Sequence, residues 1–100
     1  MISVKSMTKP NEHEDMVKAL FDEKLLAALI YLLDAGRELE FKVKDTVYFV
    51  SKDKAQKYVS IWKGQEEQSF DHAYDLIEHS LVEGIPFYSA WKDAEIMTLF

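Results

Sequence analysis

The chain has 100 residues, 48% of them hydrophobic and 13% aromatic, which is enough for one domain with one core and excludes a disordered chain. With no cysteine, disulfides, thiolate metal sites and cysteine nucleophiles are excluded. The formal charge of −6 argues against a dedicated nucleic-acid binder, which needs clustered Lys and Arg to neutralise phosphates.

Residues 1–10 are predicted to be a flexible lead-in to a single domain, with Ile2–Val4 as a candidate edge strand. No long apolar core or small-residue cleavage site marks a secretion signal there, so the cytoplasm is the expected location. A helix start follows, with Asn11 as cap, Glu14 three residues on, and Asp15 at the positive helix end. Met16, Val17, Leu20 and Phe21 recur at helical spacing, and Leu25–Leu33 continues the apolar pattern until Gly36. The signals at Asp22–Glu23 leave one kinked helix and two consecutive helices both open. The nine-residue run Leu25–Leu33 falls well short of the ~20 apolar residues needed to span a bilayer, so no membrane association is expected.

"RELEFKV" alternates, with Leu39, Phe41 and Val43 on one face, and "TVYFV" is placed as its hairpin partner. The turn at Lys44–Asp45 lacks the glycine that tight hairpins prefer. A two-residue loop puts Tyr48 and Val50 beside Leu39 and Phe41; a three-residue loop puts Val47 and Phe49 there instead. "KYVSIWK" repeats the two-sided pattern as a third strand over Lys57–Lys63, so a sheet buried on both faces is predicted, with the apolar helices over the second face. "GQEEQ" is expected to be a polar connection, and Ser69 to cap a second helix reaching about Val82, just before Gly84. Pro86 starts a short helical turn through Trp91, and Glu95–Phe100 forms a last strand beside the hairpin.

The charge is uneven. Gly64–Phe100 carries eight acids (Glu66, Glu67, Asp71, Asp75, Glu78, Glu83, Asp93, Glu95) against Lys92, whereas Arg37–Lys63 is mildly basic. His72, Asp75 and His79, spaced by three and four residues, are the candidate ligands for a zinc-like ion. The competing reading, a solvated helix face, is favoured, and no metal or other cofactor is assigned. No serine sits in a G-x-S-x-G context, and the three glycines are too far apart for a phosphate-binding loop. The chain is therefore predicted not to be an enzyme; a metal-dependent enzyme is the least favoured alternative. Tyr48, Tyr58 and Trp62 beside Lys42, Lys57 and Lys63 could form a stacking platform for single strands, but burial of those rings in a core accounts for them better. Trp62, Phe87, Tyr88 and Trp91 are the candidate interaction residues, because Trp and Tyr anchor interfaces and "IPFYSAW" holds more rings than one short turn can bury.

The succession "AGRELEFKVKDTVYFV", the Trp62 strand, "SFDHAYDLIEHSLVEG" and "PFYSAWKDAEI" resembles a group of small uncharacterised proteins of Gram-positive bacteria and their phages, over roughly Leu29–Ile96. The resemblance implies an α+β fold and brings no activity or site residues; Lys44–Asp45 departs from the turn glycine common in that group. The expected architecture is thus an N-terminal helix or helix pair, a three- to four-stranded mainly antiparallel sheet, a C-terminal helix and a short terminal strand. The expected function is a non-enzymatic protein-interaction or regulatory module that binds a protein partner or a second copy of itself. The alternative is a nucleic-acid-linked protein, as a weak binder or as an acidic mimic that occupies the site of a nucleic-acid-binding protein.

Overall fold

Helix α1 spans Glu12–Glu23, with Glu12, Glu14 and Asp15 in its first turn, where carboxylates meet the positive end of the helix dipole. The computed structural model describes residues 12–55 and 57–100; the expected Ile2–Val4 strand and the Asn11 cap lie outside them. Lys24 then adopts a left-handed backbone (φ 52°), so the apolar run is a second helix, α2, over Leu26–Asp34. Gly36 (φ 93°) stops α2: its N–H reaches the carbonyl of Leu33 at 3.0 Å, and the N–H of Arg37 reaches that of Leu32 at 2.9 Å. This is the paired closure that a left-handed glycine allows.

Strands β1 (Leu39–Val43) and β2 (Thr46–Lys52) pair antiparallel with Val43 opposite Thr46, Phe41 opposite Tyr48 and Leu39 opposite Val50. The loop is therefore the two-residue one, with Lys44 taking the positive φ (58°) that glycine would usually supply. Strand β3 covers Val59–Lys63 and turns at Gly64 (φ 62°) into β4, Glu66–Phe70. Helix α3 is short, Ala73–His79. A two-residue hairpin follows, β5 (Leu81–Val82) and β6 (Ile85–Pro86), closed by Glu83 and Gly84 with φ of 53° and 82°, the double positive φ of a type I′ turn. Helix α4 (Phe87–Ala90), a 3-10 turn (Trp91–Asp93) and β7 (Glu95–Leu99) complete the chain.

The fold is α+β, with a five-stranded antiparallel sheet in the order β4-β3-β2-β1-β7 and the small β5-β6 pair. The sheet has one strand more than the sequence pattern predicts. "EEQSF" was expected to be mostly polar connection, and Ser69 a helix cap; instead Ser69 lies in β4 opposite Ser60. A polar strand at a sheet edge is one of the ways proteins blunt unpaired edges, and it hides the alternation that betrays inner strands. The predicted helix through Val82 also ends early. The side-chain amide of Gln68 holds Leu81 extended, accepting from its N–H at 2.8 Å and donating to its carbonyl at 2.9 Å.

One core joins Leu20 of α1 and Ala28, Leu29, Leu32 and Leu33 of α2 to Ala73, Leu76 and Ile77 of α3 and Phe87, Ala90 and Trp91 of the C-terminal segment. They form one cluster with the sheet face of Leu39, Phe41, Val43, Tyr48, Val50, Val59 and Ile61. Phe41 sits at its centre, stacked on Tyr48 and edge-on to Phe87 and Trp91, each at 5.5 Å between ring centroids. Burying each large side chain contributes about 1.5–3 kcal/mol. Among the described residues the second sheet face does not have the expected helical cover. Every described helix spends its apolar stripe on the Phe41 side, and the broad stripe of α2 meets α1 and α3 instead of a second sheet face.

Candidate protein-interaction face

The alternation of strand side chains assigns the uncovered face from the register alone. It carries Glu40 and Lys42 from β1, Val47, Phe49 and Ser51 from β2, Ser60 and Trp62 from β3, and Glu67 and Ser69 from β4. On β7 the register slips between Glu40 and Phe41. This bulge leaves Met97 and Thr98 both turned outward and exposed, as an extra residue on one strand does. Phe100 extends the pairing: its N–H donates to the Glu38 carbonyl at 2.7 Å, and its ring meets Phe49 edge-on at 5.8 Å. Arg37 holds the end of the strand, its Nε donating to the Phe100 carbonyl at 2.5 Å and its Nη1 lying 2.7 Å from His13 Nε2.

The centre of the face is apolar. Val47 is 41% exposed and Phe100 55% exposed, while Phe49 and Trp62 are partly exposed. Phe49 and Trp62 are direct cross-strand partners, and the same row continues to Glu40 on one side and Glu67 on the other. Glu67 is held in place, since its Oε2 accepts from Ser60 Oγ at 2.5 Å and from Ser69 Oγ at 2.8 Å. Ser60 is buried, so this carboxylate is anchored at the sheet surface.

Of the four aromatic residues singled out from the sequence, only Trp62 lies on this face. Phe87 and Trp91 are core, 1% and 4% exposed, and stack on each other at 5.4 Å. Trp91 is an internal staple: its indole N–H donates to the Lys24 carbonyl at 2.7 Å, and Lys24 Nζ returns to the carbonyls of Ala94 at 2.6 Å and Lys92 at 3.1 Å. These bonds offset the left-handed backbone at Lys24. Tyr88 is exposed on α4, away from the sheet. The histidine set is also dispersed: His72 has extended backbone (φ −139°, ψ 155°) just ahead of α3, so it does not share a helical face with Asp75 and His79. Among the described residues no three His, Asp or Glu side chains are arranged to hold a metal ion.

The stacking platform read from the sequence is likewise divided between faces. Tyr48 is buried on the core face; its hydroxyl donates to Glu83 Oε2 at 2.6 Å and accepts from the Glu83 N–H at 3.0 Å. Burial, and then the hydrogen bond to Glu83, push its pKa up to about 12. Lys63 turns to the same carboxylate at 3.7 Å. The Tyr48 hydroxyl first, then the Lys63 ammonium group, the Thr46 hydroxyl and the Lys44 ammonium group, hold the Glu83 carboxyl below its ordinary value. A cleft at the end of α2, lined by Asp34, Ala35, Gly36, Lys52, Lys54 and Lys57, has its own structural account. Lys52 pairs with Asp34 at 4.0 Å, and lysines beside a helix C-terminus answer the negative end of its dipole.

Phe100 went unrecognised, and Phe49, Glu40 and Glu67 were not joined into one site, because their grouping depends on register and on which face the helices choose. The signal for Phe49 was present in "TVYFV", whose two faces are both apolar; the polar β4 gave none for Glu67. Among the described residues no helix is long and apolar enough to cross a membrane. Comparison with protein-family models, with curated proteins and with solved structures gives no match to the chain.

Proposed function

We propose that the protein is a non-enzymatic interaction module whose contact surface is the open sheet face around Phe49 and Trp62. The observation that carries this reading is the one-sided packing of the helices. The four described helices pack on the Phe41 side of the sheet, while Val47, Phe49, Trp62 and Phe100 adjoin one another on the other side, which no described helix covers. Scattered exposed apolar residues are ordinary, but a contiguous patch of large ones on a rigid sheet marks a contact surface.

The chemistry of the face supports a protein partner over a nucleic acid. Its one lysine, Lys42, lies 3.8 Å from Glu95, and Glu40 and Glu67 add further negative charge at the rings. Phosphates approaching Phe49 and Trp62 would meet carboxylates where a single-strand binder places cations.

A photo-crosslinking benzophenone amino acid in place of Phe49, compared with one in place of Tyr74 on α3, tests the reading in cells. The expected result is a protein adduct from position 49, absent from position 74, and lost when Trp62→Ser is added to a chain that keeps its melting temperature within a few degrees. No adduct at position 49, or equal labelling from both positions, would overturn it.

A further inference from the structure

The open face has a polarity that narrows its partner, an inference that rests on the reading above. Across the sheet, perpendicular to the strands, the residues directly opposite one another are Glu40, Phe49, Trp62 and Glu67. With strands ~4.8 Å apart, two rings lie side by side with a carboxylate at either end. Glu67 is oriented in advance, because Ser60 and Ser69 both donate to its Oε2, and its Oε1 has no hydrogen-bond partner among the described residues. Glu40 has no cation within ion-pair distance among them, since Lys42 is paired with Glu95.

We infer that this row receives arginine or lysine side chains from a segment of a partner protein, each cation lying over Phe49 or Trp62 with its charge against Glu40 or Glu67. Both contacts are matched to a cation. An aromatic face attracts it through its quadrupole, most strongly at Trp, and a carboxylate fixed by other donors accepts its N–H groups without reorganising. Arginine fits best, because its planar guanidinium stacks on a ring while its edge bonds a carboxylate.

A second copy of the chain fits less well. Each copy brings a net charge of −6 and places its own carboxylates opposite the same groups in a two-fold contact. The area is also small: five strands about 4.8 Å apart and five residues at ~3.3 Å each give a footprint of roughly 24 by 17 Å. That is about half of the ~800 Å² per partner of a standard stable interface. A flat, small, negatively charged face with two ring anchors suits a short basic segment.

The test uses acetylated, amidated tetra-arginine as probe, with tetra-lysine and tetra-glutamate beside it, titrated into the full chain and followed by two-dimensional NMR. The expected result is a saturable shift of the Trp62 indole and of the amides of Glu40, Phe49, Trp62 and Glu67, strongest with arginine and absent with glutamate. Glu40→Gln with Glu67→Gln should weaken binding severalfold, and Trp62→Leu roughly two- to fivefold, as expected for an exposed cation–π contact. Asp71→Asn with Glu78→Gln, exposed acids away from the row, should leave it unchanged. Shifts centred on α3, or equal loss in both double variants, would show only general attraction to an acidic chain and would overturn the inference. A position-49 crosslink to a second copy would overturn the basic partner while leaving the face as the contact surface. Absence of any crosslink would remove the underlying reading as well.

Discussion

Replacing Tyr48 by Phe isolates the register of the central hairpin, because the two-residue loop places this ring in the core and a three-residue loop would place it outside. The variant keeps the ring stacked on Phe41, where the two planes lie 13° apart, and removes only the hydroxyl. Two hydrogen bonds are lost, one donated to the Glu83 carboxylate at 2.6 Å and one accepted from the Glu83 N–H at 3.0 Å. A bond to a charged group contributes about 1.5–3 kcal/mol, and a partly buried N–H left without a partner costs about 1–3 kcal/mol. The carboxylate keeps Lys63 at 3.7 Å, the Thr46 hydroxyl and water, so a net loss of about 2 kcal/mol is expected. For a domain of this size that lowers Tm by roughly 10 °C. The same hydroxyl predicts a pH signature. Tyr48 titrates near 10.0 when unfolded and at about 12 when folded; a raised folded pKa gives stability that is fully present below 10 and lost as pH rises toward 12. Tyr48→Phe lacks this component, so the gap between wild type and variant in urea denaturation should be constant from pH 7 to 9 and narrow above pH 10. Tyr58, whose pKa is raised chiefly by the charge of Asp53, titrates in both proteins and cancels in the difference. A variant as stable as wild type, or a gap that does not change with alkaline pH, would refute the placement of Tyr48.

Phe41→Ala should cost about 3–5 kcal/mol as a central core truncation, whereas Phe49→Ala should cost about 1 kcal/mol or less, the range of a cross-strand pair on an open face; equilibrium denaturation reads both. Trp91→Phe should destabilise by about 1–3 kcal/mol, because the Lys24 carbonyl loses its indole donor; no change in Tm would show that the α1–α2 break does not depend on this staple. Glu83, with its folded pKa lowered, gives stability that is present above the ordinary carboxylate pKa of about 4.5 and lost as pH falls through the depressed folded value. Glu83→Gln should therefore flatten the acid limb of the stability curve, and an acid limb identical to wild type would contradict that.

Much of this architecture is legible in the residues themselves. Period-two alternation marks β1, β2 and β3, Gly36 marks the end of α2, and Pro86 marks the start of the helical segment through Trp91. What escapes has definite causes. The hairpin register is ambiguous because Lys44 takes a left-handed conformation without being glycine, and one residue of slip exchanges the faces. Strand β4 is masked because an edge strand with a solvated face can be built from Glu, Gln and Ser. The end of α3 is set by a tertiary contact, Gln68 on the Leu81 backbone, which no local pattern records. The open face was misassigned because apolar helix surface suffices to cover both sides of the sheet, yet α1, α2 and α3 spend theirs on one another and on the Phe41 side. The candidate site follows that choice: Trp62 was recognised as an interaction residue, while Phe87 and Trp91, equally suggestive by type, belong to the core.

The two tryptophans lie on opposite sides of the sheet, so their accessibility to a neutral quencher tests the central claim most directly. In acrylamide quenching, the fluorescence lost on Trp62→Phe reports Trp62, and the fluorescence remaining in that variant reports Trp91. The one-sided arrangement predicts that Trp62 is quenched readily and that Trp91, 4% exposed, is shielded. Equal shielding of both rings would mean that something covers the second face, and the open contact surface would not exist.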